Sequence, residues 1–354
     1  MTNKNNKTRT ETEQALLKQQ TATGRYPAVR PRRLRSAGWM RDLVAKHEVT
    51  RNDVIWPLFI NEGSNNREAI PSMPGVERLS VDIIIEELKP AIDLGLKAIA
   101  LFPVVPEEKK TMDGAEALNQ DNLMCRAIAA IKNAHPDLGI ITDVALDPYT
   151  THGHDGLVEN GRVLNDATIE VLAQQSLTQA CAGADIIAPS DMMDGRIGKI
   201  RAALETNGFE DIAIMSYAAK YASCFYEPFR DAVNSGDFLK GDKKTYQMDP
   251  ANSDEAIREV ALDLEEGADM IMIKPGLPYL DIVRRVSETF TAPIFAYHVS
   301  GEFAMLKAGQ ANGWIDYERA LMETLLSFKR AGATGIFTYG ALDCLKLLDK
   351  RTKK

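Results

Sequence analysis

Eight short apolar runs, each followed by a stretch with helical spacing, restrict the fold of this chain more than any other feature of it. They are Val54 to Ile60, Ala98 to Val104, Gly139 to Leu146, Asp185 to Pro189, Ile212 to Tyr217, Met270 to Lys274, Ile294 to Val299 and Gly335 to Tyr339. Between them, segments such as Val81 to Leu94, Asp166 to Ala182, Ser253 to Glu266 and Tyr317 to Arg330 repeat apolar residues at three- and four-residue intervals. This alternation predicts parallel strands joined by crossover helices. Ser80, Asn165 and Asn252 or Ser253 are placed to cap helices, and Gly183, Gly267 and Gly332 to end them just before a strand. Eight such units in some 300 residues fit a closed α/β fold, the (β/α)8 or TIM barrel, better than an open doubly wound sheet, which stays an alternative although no Gly-x-Gly-x-x-Gly follows the first run.

The chain has 354 residues, 45% of them hydrophobic, enough to bury one large core. Residues 1–25 are polar and read as a disordered or partner-ordered tail, 26–50 as an extended N-terminal arm, and 51–354 as the catalytic barrel. A formal charge of −8 argues against nucleic-acid binding, and the local cluster Arg30, Arg32, Arg33 and Arg35 reads as a solvated or subunit-contacting arm. Nothing resembles a secretory signal, and no run is long enough to span a bilayer, so no membrane partner is expected. Cys125, Cys181, Cys224 and Cys344 are too scattered for a disulfide framework or a cysteine zinc cluster, which points to a reducing, cytoplasmic setting.

In a closed parallel barrel, functional side chains come from the C-terminal ends of the strands, where the loops share one mouth. Inspected on that basis alone, the runs end in or near Asp143 and Asp147, Ser190 and Asp191, Lys220, Lys274, His298 and Ser300, and Thr338 and Tyr339. Two lysines, several acids, hydroxyls and a phenol thus converge. Lys274 follows Met270-Ile271-Met272-Ile273, an apolar wall that makes its charge expensive and favours a neutral, nucleophilic amine. A second cation at Lys220 depresses at least one of the two further. The ordinary alternative for either lysine is an ion pair or a tip reaching solvent.

At this point the residues resemble a known family, the porphobilinogen synthases or 5-aminolaevulinic acid dehydratases. The resemblance runs from about Tyr26 to the C-terminus and is carried by Asp143 to Asp155, Ala188 to Arg196, Tyr217 to Ser223, Met272 to Gly276 and Tyr297 to Glu302. It implies a barrel whose arm embraces a neighbour in a homo-oligomer, usually an octamer built from dimers. It also implies condensation of two molecules of 5-aminolaevulinic acid to porphobilinogen through lysine Schiff bases, with loss of two waters, in haem biosynthesis. By position, Lys274 resembles the lysine that binds the A-side substrate and Lys220 the one that binds the P-side substrate. Arg230 and Lys243 resemble the cations that hold the A-side carboxylate, and Ser300 and Tyr339 the hydroxyls that hold the P-side carboxylate. Asp143 is the expected proton handler or lysine partner; Asp147, Asp155 and Ser190 are candidates for the lid or for shared proton work.

The resemblance also speaks about metals. In the zinc-dependent branch the loop after the third strand carries three cysteines, and here those positions hold Ala145, Asp147 and Asp155, so no catalytic zinc is expected. His152 and His154 could join the two aspartates around a hard ion, but His-x-His in a polar loop is more often simply hydrogen-bonded. Glu259 resembles the ligand of an activating, allosteric Mg2+ that keeps most of its waters. No organic cofactor is implied. One departure stands out: Glu227 occupies a position where the family has glycine, and a carboxylate there is placed to pair with Arg230. The rival readings are a class I aldolase acting on a sugar phosphate, which needs only one lysine, and a catalytically silent barrel serving in assembly.

Overall fold

Backbone hydrogen bonding turns each apolar run into a strand and closes the eight into a ring. The computed structural model describes residues 24–233, 239 and 241–352. The strands are β1 (Val54–Asn61), β2 (Ala98–Pro103), β3 (Gly139–Val144), β4 (Ile186–Pro189), β5 (Ala213–Lys220), β6 (Met270–Lys274), β7 (Ile294–His298) and β8 (Gly335–Thr338). Each pairs in parallel with the next, and β8 returns to β1 through Val54↔Ile336 and Ile55↔Phe337. The fold is therefore a (β/α)8 barrel, with a short pair of strands, Arg67–Ala69 and Glu77–Ser80, added beside β1.

Strands enclosed by helices outside and side chains inside are buried on both faces, which is why they read as continuous apolar runs rather than alternating ones. Ile99, Leu101, Ile140, Ile187, Ile271, Ile273 and Ile336 are all fully buried. The helices outside keep an apolar stripe inward. The one on Asp254–Glu265 buries Ala256 and Val260, but also the acid Asp263, which meets the buried Arg196 at 3.2 Å.

The helix ends follow the glycine pattern but not the expected caps. Gly183, Gly267 and Gly332 have φ of 104°, 105° and 115°, left-handed values that favour glycine. Ser80 and Ser253 stand at N-cap positions, yet neither side chain makes a cap bond. The Ser80 hydroxyl instead accepts the Asn66 N–H, and that of Ser253 accepts from Arg285. Asn165 lies inside its helix, Leu164 being the cap, and its amide bonds the backbone of Asp194 at 3.0 and 2.8 Å. In each case a tertiary partner displaces the local one.

Strand β5 runs three residues beyond the expected end at Tyr217 and contains Lys220. Its pairing with β6 is irregular: Ile271 faces Ser216, but Ile273 faces Ala219 and Lys274 faces Lys220. Two steps on β6 span three on β5, which defines a bulge with one extra residue on β5. Ser216 points outward to Arg196, 3.1 Å away, and Tyr217 points inward, its ring 5.3 Å from the Lys274 nitrogen. Unbroken alternation would send Lys220 outward with Ser216; the bulge turns it into the barrel beside Lys274.

The described chain falls into two units that divide between Glu48 and Val49. The first carries a 3₁₀ turn over Pro31–Arg35 and a short helix over Gly38–Leu43, neither with a buried residue. Of the tail expected over residues 1–25, the part up to residue 23 lies outside the described residues.

Candidate active site

The two lysines named from the strand ends are neighbours in register on β6 and β5, and each is only 6% exposed. Four aromatic rings surround the Lys274 nitrogen, those of Tyr297, Phe229, Tyr217 and Tyr226, at 4.6, 5.0, 5.3 and 5.3 Å. Burial lowers this amine to about 7, and the Lys220 ammonium adds to the effect against the pull of Asp143, Asp147 and Asp155. Ring faces solvate a cation partly, but they do not replace water. Lys220 donates to the Ser190 carbonyl and lies 4.0 Å from Asp155. Ser190 thus contributes through its backbone and, by its hydroxyl, to Asp143.

Asp143, one residue before the end of β3, joins both lysines in the wall of a cavity of about 20 Å3. Burial pushes its carboxyl up to about 6, with Asp147 adding to the rise and both lysines opposing it. One of its oxygens, Oδ1, is buried without a hydrogen-bond partner. An acid poised near neutrality beside two amines is equipped to give and take a proton.

Asp147 and Asp155 close on an ammonium. Lys243 reaches Asp147 at 3.0 Å and Asp155 at 3.1 Å. Burial alone would lower Lys243, but the two carboxylates outweigh it and hold the amine charged. Asp155 is held down despite burial by Lys243 and Lys220, while burial and Asp155 keep Asp147 raised. His152 Nε2–H donates to the Met112 carbonyl at 3.1 Å, and its Nδ1 accepts the His154 N–H. His154 in turn meets the Tyr246 hydroxyl at 3.1 Å. The histidines therefore brace the loop.

The remaining candidates lie around the mouth with protein partners of their own. Arg230 donates to Glu227 at 2.8 Å, as the departure at that position suggested, and both line a cavity of about 390 Å3 with Lys243. Glu227 has φ −53° and ψ −46°, ordinary helical values, so nothing in the backbone requires glycine there. Ser300 accepts the Phe229 N–H at 2.9 Å and donates to the Phe225 carbonyl at 3.3 Å, which fastens the segment over Lys274. Tyr339 bonds the Tyr297 hydroxyl at 3.1 Å and stacks on Phe59.

Glu259 lies apart from the mouth, on the Asp254–Glu265 helix, in a cleft of about 910 Å3 shared with Glu255 and Asp194. Burial raises its carboxyl, and Asp263, Asp194 and Glu255 add to the rise against Arg196. A hard cation would relieve that repulsion, so the donor set fits a hydrated divalent ion. Among the described residues no three His, Cys, Asp or Glu side chains converge to chelate one directly.

Reading from the strand ends missed the aromatic box. Tyr226 ends a 3₁₀ turn over Cys224–Tyr226 and Phe229 lies in the short helix Glu227–Ala232, both in the connection after β5 that no strand-end rule reaches, whereas Tyr217 and Tyr297 stand inside inspected runs and were not singled out. Tyr246, bonded to His154 and to Asp155, was missed for the same reason, since it too lies beyond the strand end.

Comparison with known proteins agrees with this geometry. The chain matches the family described as Delta-aminolevulinic acid dehydratase over residues 28–347. It is 58% identical over 314 residues to the Delta-aminolevulinic acid dehydratase of Bradyrhizobium diazoefficiens, covering 89% of each chain. The Rhodobacter capsulatus protein of that name is 51% identical, across 91% of this chain and 97% of the other. Among solved structures, the Toxoplasma gondii enzyme in complex with the reaction product porphobilinogen superposes with a TM-score of 0.90 at 47% identity, covering 92% of this chain and 94% of that one. Matches of this extent, on a barrel with two adjoining buried lysines, place the chain in the delta-aminolevulinic acid dehydratase family.

Proposed function

We infer that the protein is a porphobilinogen synthase, a lyase that condenses two molecules of 5-aminolaevulinic acid to porphobilinogen with loss of two waters, in tetrapyrrole synthesis. The observation that carries this is the pair of buried amines at register partners Lys220 and Lys274. Two ketones need two amines, which separates this reading from a one-lysine aldolase. The neutral amine of Lys274 adds to one ketone and Lys220 to the other, and loss of water leaves an iminium on each. A proton then leaves the carbon beside one iminium and that carbon attacks the other iminium carbon; the amino group of the attacked substrate adds to the first iminium carbon to close the ring, and both lysines leave as free amines as the ring loses protons. Asp143 is the group we assign to proton transfer, supported by its place in the cavity wall that both amines share and its carboxyl near 6.

Arg230 and Lys243 are the proposed anchors of the A-side carboxylate, and Ser300 and Tyr339 those of the P-side carboxylate. All four now hold protein groups, so substrate binding exchanges partners rather than filling bare sites. A cavity of about 20 Å3 takes roughly one water, so entry of two substrates requires its wall, of which Phe229 and Val233 are part, to open.

We assign the chain to the zinc-independent, magnesium-responsive branch, on the ground that Ala145, Asp147 and Asp155 offer no thiolate. Mg2+ at Glu259 would act as an allosteric activator outside the chemistry. Asp263, one turn along the same helix, holds Arg196, which contacts Ser216 on β5 and so joins this helix to the strand of Lys220. A homo-octamer built from dimers is the proposed assembly, supported by an arm that leaves Trp39 66% and Leu43 73% exposed. A cytoplasmic location is consistent with four free cysteines, and no helix among the described residues is long and apolar enough to cross a membrane.

Borohydride reduction in the presence of 5-aminolaevulinate is expected to trap adducts on Lys274 and Lys220, located by peptide mass spectrometry; adducts only with a sugar phosphate, or none at all, would refute the reading. Because Lys274 must be neutral, kcat/KM should fall tenfold per pH unit below about 7, and a flat profile down to pH 5 would contradict the assignment. Replacing Glu227 with Gly, or with Gln to keep the backbone stiff, should lower the substrate KM by up to about fivefold, the scale of a partly exposed ion pair. An unchanged or higher KM rejects competition for Arg230. Mg2+ should raise the melting temperature of the wild type saturably and much less so that of Glu259→Gln; equal shifts would remove Glu259 from the site.

A further inference from the structure

Glu302 is 1% exposed and does not line the cavity between the amines. It stands at the third position of the Ser300–Ala311 helix, where its Oε2 accepts the Val299 N–H at 2.9 Å. That bond is half of an ordinary capping box and by itself marks a helix start. The other oxygen does something a cap does not require. Oε1 accepts the N–H of Leu277 at 2.9 Å, and the Gly276 N–H also bonds the carboxylate. These two belong to the turn that leaves β6 directly after Lys274 and Pro275. One carboxylate therefore joins the chain just past the proposed nucleophile to the start of the helix whose first residue, Ser300, holds Phe225 and Phe229.

Packing on both sides leaves little slack. A Cβ at Gly276 would come within 2.5 Å of the Phe328 ring and 2.7 Å of the Tyr297 carbonyl oxygen, and one at Gly301 within 2.7 Å of the Phe225 carbonyl oxygen. Segments threaded this closely move together. Burial pushes the Glu302 carboxyl up to about 8, and what opposes burial is backbone N–H groups, not a cation. Three convergent N–H donors are matched by the two acceptor oxygens of a carboxyl and oppose its neutralisation by burial, whereas an amide must set its NH2 against one of them.

We propose that Glu302 is a positioning residue for the condensation, fixing the Lys274 amine relative to the aromatic segment that covers it by bonding the backbone at the exits of both β6 and β7. This rests on Lys274 being the Schiff-base amine. Glu302 touches no reacting atom; it acts through the backbone of Pro275 to Leu277 and of Val299 to Ser300.

The test compares wild type, Glu302→Gln and Glu302→Asp by steady-state kinetics, melting temperature and reductive methylation of the substrate-free protein with formaldehyde and cyanoborohydride, mapped by peptide. In Glu302→Gln, kcat should fall about ten- to a hundredfold while KM moves less than about threefold, since misplacement by an ångström costs rate rather than binding. The ratio of labelling at Lys274 to that at Lys220 should change with it. Glu302→Asp, which keeps two acceptor oxygens, should recover part of kcat. A lower melting temperature with wild-type kcat and labelling ratio would make the residue merely structural and overturn the proposal. So would a shift at both lysines alike. If the amide variant does not fold, the aspartate variant decides, wild-type values there refuting the proposal. Methylation needs no substrate, so failure of 5-aminolaevulinate to trap on the wild type would refute the reaction without being confused with failure of the clamp.

Discussion

Two ammonium groups cannot share a dry pocket without cost, and that electrostatic constraint organises the mouth of this barrel. Water is excluded by Tyr217, Tyr226, Phe229 and Tyr297, so charge on Lys274 is penalised by burial and again by its neighbour. The acids nearby are distributed in keeping with this. Asp155 stays ionised among cations, whereas Asp143 is lifted toward neutrality. Had every acid been fully charged, the amines would be held protonated; had none been, the site would have no base. Environments that drive similar groups apart are what let one pocket supply a nucleophile, an acid and a base at one pH.

Much of this was legible in the sequence, because burial on both faces of a parallel strand leaves an unmistakable apolar run. The same property marked Lys274, a charge set at the end of Met270-Ile271-Met272-Ile273. Lys220 was less plain, since Ala218 and Ala219 carry little apolar bulk and the run reads as ending at Tyr217, before them. The cap positions misled for a related reason: Asn165 and Ser253 have the right chemistry for a cap, but Asp194 and Arg285 compete for them across the fold. Local preference is worth about 1 kcal/mol at such sites, which a tertiary hydrogen bond matches.

Side chains from loops were the hardest to place. That Lys243 would sit between Asp147 and Asp155 depends on how a segment about 90 residues away folds back over β3, and nothing in its own neighbours encodes that. Ser300 was named as a ligand for a carboxylate, and its hydroxyl is found holding backbone instead. The two are compatible if the covering segment and the substrate exchange the same bonds. Such exchange keeps buried polar groups satisfied in both states, which lowers the cost of opening.

The bulge in β5 has a consequence for how such a site can change over evolutionary time. Deleting a single residue between Ser216 and Lys220 would restore simple pleating and leave Lys220 three steps from Ser216, still inward and opposite Lys274. Smoothing the bulge at full strand length, so that the pairing slips by one residue, would instead send Lys220 among the helices, leaving Lys274 as the lone inward amine and a pocket suited to one carbonyl compound. A barrel that joins two molecules thus lies one step of register from a barrel that handles a single molecule, with no residue added or lost, and the extra residue in the strand is what holds the two apart.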